Sequence, residues 1–443
     1  MAREMKDSGI EWIGEIPREW EIKRIKYVAE FEPKCNMNEL NNDSIVTYLP
    51  MECLKNGYFE KRERNLGDLP ISLTHFEEND IVMAKVTPCF ENGNIAIMQK
   101  LQSGFGLGSS ELFVLRCKTV NIHYLFWWLQ NRGFVSQACS TMTGTGGLKR
   151  VSPYFMKNCV MHMPPEIEQI HISNFLYAQC AELDNVLEKT RASIEEYKKL
   201  KQAVITQAVT RGIRSGREMK DSGVEWIGEI PIEWGLIPFR HALKERQEKN
   251  SPIKSEERLS LSIDLGVTLY AEKTTNLDRF KDDFEQYKLA YEGDLVMNSM
   301  NMIVGATGVS DYFGCVSPVY YTFYDELEDH VTAKYCEYIF RSKTMLRVLY
   351  SLGKGIYAIV RGDDRVNTCR LKVSKEDLKS IIIPVPPVEE QREIVNYLKK
   401  KCLAIDELIA KKEQYLSEIE NYKKSLIYEY VTGKKEVPQK YQA

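Results

Sequence analysis

The sequence predicts an α+β fold in which two α/β domains are separated by two long antiparallel helices that form a coiled coil, with a pseudo-twofold internal repeat. Two observations lead to this prediction. A segment of 18 residues occurs twice in the chain, and each copy is followed, after a double proline, by a long segment with helical periodicity. Self-similarity of this kind indicates a duplicated structural unit.

The first repeated segment opens each half of the chain. It reads REMKDSGIEWIGEIPREW from Arg3 to Trp20 and REMKDSGVEWIGEIPIEW from Arg217 to Trp234. We expect these shared residues to form a frame that packs each domain onto the helices, whereas the divergent residues make contacts that differ between the copies. The frame residues are Trp12, Ile13, Ile16 and Trp20 in the first half, and Trp226, Ile227, Ile230 and Trp234 in the second.

The length and composition agree with two globular halves. A chain of 443 residues is too long for one ordinary hydrophobic core, and 43% hydrophobic with 28% charged residues is a globular composition. Matching strands are predicted at NDIVMAK (79 to 85) and GDLVMNS (293 to 299), and matching amphipathic helices at YLFWWLQN (124 to 131) and YCEYIFRS (335 to 342).

The second repeated segment predicts the long helices. It begins with PPEIEQ at Pro164 and PPVEEQ at Pro386, contains no glycine, and ends before Gly212 and Gly433. Apolar residues recur at alternating steps of three and four, which is typical of a coiled-coil seam; at 1.5 Å per residue each helix would be about 65 to 70 Å long. The predicted seam residues are Leu176, Leu183, Leu187, Ile194, Leu398, Ile405, Ile409 and Leu416.

These elements predict four consecutive parts: domain 1 at residues 1–163, helix 1 at 164–213, domain 2 at 214–385, and helix 2 with a C-terminal tail at 386–443. Two similar seams on one chain bury each other best when the helices are antiparallel. Apolar positions beyond the seam, at Ile172, Ile205, Tyr430 and Val431, are candidates to receive helices of a partner protein.

Several classes of protein are disfavoured by what the sequence lacks. It has no signal-peptide-like start and no apolar run long enough for a membrane span, so we expect a cytoplasmic protein without membrane contact. No catalytic residues and no metal ligands are predicted, because the cysteines and histidines show no ligand spacing, the double prolines lack an amino-methyltransferase motif, and no P-loop occurs. We interpret the glycine-rich GFGLGSS (104 to 110) as a turn. The eleven cysteines are expected to be reduced thiols.

The distribution of charge is more informative than the net charge of −3. Residues 341 to 375 contain nine basic and two acidic residues, and residues 130 to 160 contain four basic residues and no acid. Phosphate contacts require only one basic face, so corresponding regions of both halves are candidates for contact with nucleic acid.

The EWIG-x-IP-x-x-W opening, the PP-x-x-EQ helix start, the VT-G-type helix end and the duplicated layout resemble the specificity subunit of type I restriction-modification systems. Within domain 1, VTPCFENGNIAI (86 to 97) followed by GFGLGSSELFVLR (104 to 116) resembles one class of target-recognition domain in that family. Domain 2 has MNMIVGATG (300 to 308) in its place, so it belongs to a different recognition class.

The resemblance implies a noncatalytic DNA-specificity subunit. Its two target-recognition domains would each read one half of an asymmetric, bipartite site in double-stranded DNA. The coiled coil would set the spacer between the half-sites and dock two adenine-N6 methyltransferase (M) subunits. No cofactor is expected in this chain: S-adenosylmethionine would belong to the M subunits, and ATP and Mg to the restriction (R) subunits.

Residue types suited to bases and phosphates give the candidate DNA contacts, because Arg, Lys, Asn and Gln read base edges while Lys, Arg, Ser and Thr bind phosphates. They lie mostly in glycine-rich loops with basic ends and in the strand ends that precede them. The candidates are Lys85, Thr87, Asn92, Asn94, Ser109, Thr145, Lys149 and Arg150 in domain 1, and Asn298, Asn301, Lys354, Tyr357, Arg361, Arg365 and Arg370 in domain 2.

Two alternatives stay open at this stage. In the first alternative, the chain is a coiled-coil scaffold whose two α/β domains bind proteins. The acidic net charge of the chain mildly favours this alternative. A self-contained methyltransferase or nuclease is disfavoured by the missing motifs.

Overall fold

The computed structural model folds both copies of the duplicated segment into the same antiparallel hairpin. In the first copy Met5 pairs with Pro17, and in the second Met219 pairs with Pro231. Each hairpin is followed by a strand that pairs with the strand just before the next long helix. The duplication seen in the sequence is therefore a duplication of local structure.

The structure describes residues 3–36, 40–70, 72–145, 147–273, 283–326, 330–356 and 370–442. The chain divides into two units: the first comprises Met1–Arg191 with Gln414–Ala443, and the second comprises Ala192–Glu413. The division falls inside both long helices. The predicted α+β class is confirmed, whereas the predicted four-part division of the chain stays a prediction.

The first unit contains two four-stranded sheets, in the strand orders β6-β5-β10-β7 and β4-β11-β8-β9, and two pairs, β1-β2 and β12-β3. Its strands are β1 Met5–Asp7, β2 Glu15–Pro17, β3 Glu21–Arg24, β4 Ala29–Phe31, β5 Ile45–Leu49, β6 Arg62–Asn65, β7 Thr74–Glu77, β8 Ile81–Ala84, β9 Ile95–Ile97, β10 Phe105–Gly108, β11 Leu112–Cys117 and β12 Val160–Met163. Its short helices are α1 Ile25–Val28, α2 Ile122–Trp128, α3 Arg132–Ser140 and α4 Pro153–Asn158, and the long helix α5 Glu166–Arg211 begins in it.

The second unit contains one four-stranded sheet, β16-β23-β20-β21, and five two-stranded pairs among the residues described. Its strands are β13 Met219–Asp221, β14 Glu229–Pro231, β15 Gly235–Pro238, β16 Lys244–Glu245, β17 Leu259–Ser262, β18 Gly266–Leu269, β19 Lys288–Ala290, β20 Leu295–Asn298, β21 Thr307–Val309, β22 Gly314–Val316, β23 Tyr320–Tyr324, β24 Lys354–Ile356, β25 Arg370–Lys372 and β26 Ile382–Val385. Its helices are α6 Tyr270–Lys273, α7 Ala333–Arg341, α8 Lys343–Leu352, α9 Lys375–Ser380 and the first part of α10 Val388–Val431.

A buried acid stabilises the start of the matching strands β8 and β20. Asp80 accepts two hydrogen bonds of 2.8 Å from Arg116, and Asp294 accepts bonds of 2.6 and 3.0 Å from Arg246. Each carboxylate also accepts from a backbone N–H three residues earlier. Both aspartates are almost fully buried, so the paired arginine is required to offset the loss of hydration.

The glycine-rich segment at 104 to 110, expected to be a turn, contains strand β10 instead. The glycines are needed because other side chains occupy the space where a Cβ would lie. A Cβ on Gly106 would be 2.2 Å from Phe76, and one on Gly108 would be 2.6 Å from Leu112. The expectation was wrong because it treated glycine as a turn former and not as a residue that permits close packing in a strand.

The long helices pack against each other antiparallel within each unit, as predicted. In the first unit Asp184 bonds Lys423 and Arg191 bonds Glu420, so the residue numbers run in opposite directions. In the second unit Lys201 bonds Asp406, and the Lys412 ammonium lies 5.7 Å from the Tyr197 ring. No helix in the described part of the chain combines the length and apolar character needed to cross a membrane.

The predicted seam residues are buried to different degrees. Those with 7% exposure or less are Leu176, Leu187, Ile194, Leu398 and Ile405, and those that are half-buried are Leu183, Ile409 and Leu416. The positions proposed to receive partner helices, Ile172, Ile205, Tyr430 and Val431, are themselves buried in the hydrophobic cores of their units. That expectation is therefore wrong, because these side chains already pack under the globular domains.

The duplicated segment holds the start of each long helix through an arginine, a glutamate and a tryptophan, which we call the helix-start clamp. In the first unit Arg3 bonds both oxygens of Glu168, at 2.6 and 2.7 Å, and the Trp20 indole N–H donates to Glu168 Oε2 at 2.9 Å. Glu19 pairs with the same arginine. The predicted role of Trp20 in the frame now has a specific partner, the glutamate of PP-x-x-EQ.

The second unit repeats the clamp. Arg217 pairs with Glu390 and Glu233, and the Trp234 indole N–H donates to Glu390 Oε2 at 3.1 Å. The Glu390 side chain is only 2% exposed. A carboxylate so deeply buried requires all of these donors.

Two further residues tie each domain to both long helices. Gln169 accepts from Asn121 N–H and donates to Pro164 O, each at 2.8 Å, and so joins the start of α5 to the start of α2. The Tyr124 hydroxyl donates to Val431 O at 3.0 Å near the end of α10. The second unit makes the same contacts with Gln391, Thr332, Tyr335 and Val209.

His162 distinguishes the first unit from the second, where the equivalent residue is Pro384. Its ring is stacked 5.5 Å from Trp20 and its Nε2 contacts the Val431 carbonyl, which can only accept, so Nε2 carries the proton. Its Nδ1 is enclosed and has no partner within the described residues. Burial lowers the pKa of His162 to about 4.

Breaking the second clamp is expected to destabilise the protein strongly. Arg217→Ala would leave Glu390 buried without its cation, which costs about 3 to 5 kcal/mol in the free energy of unfolding. Arg18→Ala is the control, because the Arg18–Glu4 pair is exposed on both sides and should cost less than about 1 kcal/mol. Chemical denaturation of the full chain measures both, and equal costs for the two variants would contradict the role of the clamp.

Stability is expected to decrease between pH 6.5 and pH 4 because of His162. The unfolded histidine takes up a proton near pH 6.5, whereas the folded one stays neutral until about pH 4, so acid favours the unfolded state. Between pH 7 and pH 5 this loss amounts to about 2 kcal/mol. His162→Gln keeps a hydrogen-bond donor but does not titrate. In urea unfolding at the two pH values, the variant should therefore lose less free energy of unfolding than the wild type, by this amount. An identical loss in both proteins would contradict the assignment.

Candidate nucleic-acid interface

Six of the eight candidate residues of the first half lie where three segments meet, and we call them the first loop cluster. The segments are the end of β8, the turn between β10 and β11, and residues 143 to 151. Thr87 connects two of them, because its Oγ1 donates to Gly147 O at 2.7 Å and accepts from Lys149 N–H at 2.9 Å. The members of the cluster are Lys85, Thr87, Ser109, Thr145, Lys149 and Arg150.

The backbone of the cluster is held by strand-like contacts. Lys85 N–H donates to Glu111 O at 3.0 Å, and Val151 N–H donates to Lys85 O at 2.9 Å. Ser109 Oγ accepts from Glu111 N–H at 3.2 Å. Residues far apart in sequence therefore form one fixed surface, from which Thr145, Lys149 and Arg150 are exposed to solvent.

An ion pair controls the charge of this surface. Arg150 donates two hydrogen bonds of 2.8 Å to Glu111, and these bonds lower the pKa of the Glu111 carboxyl. The Arg150 charge is thereby offset by Glu111, whereas Lys149 has no ion pair within the described residues. Lys149 is the residue of the cluster best placed to meet an anion.

Asn92 and Asn94 lie apart from the loop cluster. They line a cavity of about 560 Å³ in the first unit, which the ion pair between Asp184 and Lys423 also borders. The turn before β9 that carries them is tight, because a Cβ on Gly93 would lie 2.7 Å from Asn56. The structure thus divides the eight candidates of this half into two separate places.

In the second half the two asparagines have different surroundings. Asn298 is 9% exposed and its Oδ1 accepts from Met300 N–H at 3.1 Å, so it holds the turn after β20. Asn301 is exposed in the same turn. Val373 N–H donates to Ser299 O at 3.1 Å, which joins this turn to the strand pair β24-β25.

Lys354 is the first residue of that strand pair. Its side chain is 77% exposed and forms an ion pair of 2.9 Å with Asp377. Gly355 pairs with Leu371, and Ile356 with Arg370, whose side chain lies outside the described part of the structure. Tyr357, Arg361 and Arg365 also lie outside the described residues.

Some contributors to these surfaces were not predicted from the sequence. Glu111 and Asp377 each neutralise a candidate cation from a distant part of the chain, 39 residues from Arg150 and 23 from Lys354. Both are acids near a predicted strand or helix, a signal too common to single them out. Lys372 is exposed at the end of β25, where it pairs with Lys354, and was identified only as part of a basic run.

Among the residues described, no group of three or more His, Cys, Asp or Glu side chains is arranged to hold a metal ion. The described cysteines are free thiols, and six of the ten are buried. Burial raises the pKa of Cys117 and of Cys159 to about 12. These thiols therefore remain protonated at neutral pH.

Comparison with known proteins relates the chain to one family. Residues 358–421 match the family model described as "Type I restriction modification DNA specificity domain". The specificity subunit of the type I restriction enzyme EcoEI from Escherichia coli is 28% identical over 196 residues, which cover 43% of this chain and 33% of that protein. The chain thus spans about a third of the length of this curated relative.

Two other similarities extend over nearly the whole chain. The putative type I restriction enzyme MjaX specificity subunit of Methanocaldococcus jannaschii is 22% identical over 453 residues, which cover 95% of each chain. A chain from a structure titled as the basis of complex assembly and conformational transition of the type I R-M system has a TM-score of 0.69 at 15% identity, over 94% of this chain and 98% of that one. At this identity the structural match concerns the fold alone.

Removal of the Thr87 hydroxyl is expected to loosen the first loop cluster. Thr87→Val keeps the shape of the side chain but loses both hydrogen bonds, worth about 1 kcal/mol each. Hydrogen exchange at the Lys149 amide should accelerate about fivefold for the loss of one bond and about thirtyfold for the loss of both. Thr145→Val, at an exposed position of the same loop, is the control; equal exchange rates in the two variants would show that Thr87 does not hold the loop.

Proposed function

We propose that this chain, which belongs to the family of type I restriction-modification specificity subunits, recognises a bipartite sequence in double-stranded DNA. Each unit reads one half of an asymmetric site. The long helices set the spacer between the half-sites and dock two adenine-N6 methyltransferase subunits, which the restriction subunits join for cleavage.

The observation that carries this proposal is the combination of a shared set of supporting contacts with dissimilar loops. The clamp, the glutamine contacts and the tyrosine contacts recur in both units. The loops that the frame presents differ in sequence and in structure: the first unit presents the Thr87–Lys149 cluster, and the second presents the turn at Asn301 beside β24-β25. Two domains with different loops, held by the same supporting contacts, suit an asymmetric target site in two parts.

The exposed loop residues suit DNA chemically. Lys149, Thr145 and Lys354 are exposed donors of the kind that contact phosphates, and Asn301 can read a base edge. Arg150 and Lys354 are each paired with a carboxylate, so DNA phosphate must compete with Glu111 and Asp377 for them. This competition favours close, correctly placed phosphates over weak contacts.

Docking of the methyltransferase subunits is supported by apolar side chains that the long helices leave exposed. These side chains lie outside the seam, unlike the buried positions first considered. They are Ile167, Tyr177, Val186, Tyr415 and Tyr422 in the first unit, and Leu200, Leu403 and Leu408 in the second, each between 37% and 69% exposed. The chain itself is proposed to be noncatalytic, with S-adenosylmethionine bound by the methyltransferase subunits and ATP and Mg by the restriction subunits.

Lys149→Ala is expected to weaken DNA binding by the complex of this chain with its methyltransferase subunits. Loss of one phosphate contact should reduce the slope of log affinity against log salt by about 0.9. Gel-shift titrations over a series of salt concentrations measure both quantities. Lys118→Ala removes an exposed lysine of the first unit outside the loop cluster and should leave both unchanged.

If Lys149→Ala behaves like the control, Lys149 is not a DNA contact. If the wild-type complex itself fails to bind DNA, the alternative of a scaffold whose domains bind proteins becomes the better account.

Lengthening both long helices is expected to lengthen the spacer of the recognised site. Four residues inserted at matching positions of α5 and α10 add about 6 Å, which is close to two base-pair rises. Mapping of methylated adenines in cells that carry the variant measures the spacer. A site with both halves and the original spacer would contradict the proposed role of the helices.

A further inference from the structure

The second unit contains a cleft between α5 and α8 that is lined by basic and neutral side chains. Its volume is about 660 Å³, and its lining includes Lys199, Arg211, Lys343 and Arg347 but no carboxylate. Of these four cations, Arg211 has an ion pair, a 3.3 Å contact with the exposed Glu229. No ion pair to the other three is found within the described residues. Four cations at one cleft repel one another unless an anion joins them.

Polar atoms enclosed at the cleft also lack partners. Thr206 Oγ1, Thr344 Oγ1 and Gln202 Oε1 are buried atoms without a hydrogen bond among the described residues. Other threonines in the long helices or directly after them behave differently, since Thr190, Thr210 and Thr432 each donate to the carbonyl four residues earlier. An enclosed hydroxyl without a partner costs about 1 to 3 kcal/mol, which binding of an acceptor would recover.

The corresponding place in the first unit has been closed by aromatic rings. Arg132 and Gly133 stand where the second unit has Lys343 and Thr344, and Tyr428 stands where it has Thr206. A Cβ on Gly133 would lie 1.9 Å from the Trp12 ring, so Trp12 fills the space that Thr344 takes. The Arg132 guanidinium lies 4.7 Å from the Tyr428 ring, and the Tyr428 hydroxyl donates to Trp12 O at 2.8 Å.

The cavity that remains in the first unit is also different in charge. It is bordered by the ion pairs Asp184–Lys423 and Arg191–Glu420, so two of its four cations are already neutralised, and its lining also includes the carboxylate of Glu91. The two copies have therefore diverged here in opposite directions, one toward packed rings and internal ion pairs, the other toward unpaired cations and hydroxyls.

We propose that the cleft of the second unit binds phosphate groups, with Lys343 and Arg347 supplying charge and Thr206 and Thr344 supplying hydroxyl donors. Lysine, arginine and threonine are the side chains that commonly contact phosphate oxygens. A phosphate group offers more acceptor oxygens than a carboxylate, so it satisfies several hydroxyls and cations together. The phosphates come either from a DNA backbone or from a free polyphosphate. Phosphate binding at this cleft does not depend on the function proposed above.

The test measures binding of inorganic pyrophosphate to the full chain by isothermal titration calorimetry at low salt. Saturable binding is expected, and Lys343→Ala/Arg347→Ala should weaken it at least about tenfold. Thr206→Val/Thr344→Val keeps the charge and should weaken it about threefold or more. The controls are Lys400→Ala, an exposed lysine of α10 outside the cleft, and Thr190→Val, whose hydroxyl is already bonded within its helix.

The outcomes separate a built site from a diffuse basic surface. Pyrophosphate that does not saturate, an affinity unchanged in either double variant, or a glutamate-rich peptide that binds as tightly as pyrophosphate would each overturn the proposal. Thermal melting of every variant verifies that it is folded. Competition of pyrophosphate with a short duplex for the wild-type chain identifies the source: competition indicates a DNA backbone, and independent binding indicates a free polyphosphate.

Discussion

The fold depends on a carboxylate at the first turn of each long helix, partly exposed in Glu168 and buried in Glu390. Glu168 and Glu390 are held there by an arginine and a tryptophan that the duplicated segment supplies from its two ends, Arg3 with Trp20 and Arg217 with Trp234. The spacing between arginine and tryptophan must be kept for both to reach one carboxylate. This constraint explains why the segment is almost identical in the two halves while the sequence between them diverges.

The clamp also fixes where variation is permitted. Around it, Gln169 and Gln391 accept hydrogen bonds at the starts of α2 and α7, and Tyr124 and Tyr335 reach the far end of the other long helix. Positions outside these contacts are free to change, and they have done so at the loops and at the cleft beside α8. His162 shows that even the frame tolerates an unlike residue, since proline replaces it in the second half.

The repeat and the two long helices could be predicted because they depend on self-similarity and periodicity, which a sequence displays directly. Their antiparallel packing could be predicted because two similar seams on one chain bury each other best in that arrangement. The partial burial of Leu183, Ile409 and Leu416 could not be predicted, because periodicity identifies the apolar face of a helix but not how deeply each residue on that face is buried. The glycines of β10 were misread for a similar reason: their need comes from Phe76 and Leu112, whose approach is a tertiary contact.

The candidate site was predictable in position more than in detail. Thr87, Lys149 and Arg150 come together as glycine-rich loops with basic ends suggest, but the partner Glu111 was found only in the structure. Asn298 has the residue type of a base reader, yet it is buried and holds a turn. Residue type indicates what a side chain can bond, whereas the fold decides which partner it meets.

The most direct test is a map of methylated adenines in cells that carry either the wild-type chain or a variant with Thr87, Lys149 and Arg150 all changed to alanine. The account predicts a two-part, asymmetric site for the wild type. In the variant, the sequence requirement in one half of the site should be altered or lost, while the requirement in the other half is kept. Equal effects on both halves, or a wild-type site that is not in two parts, would contradict it.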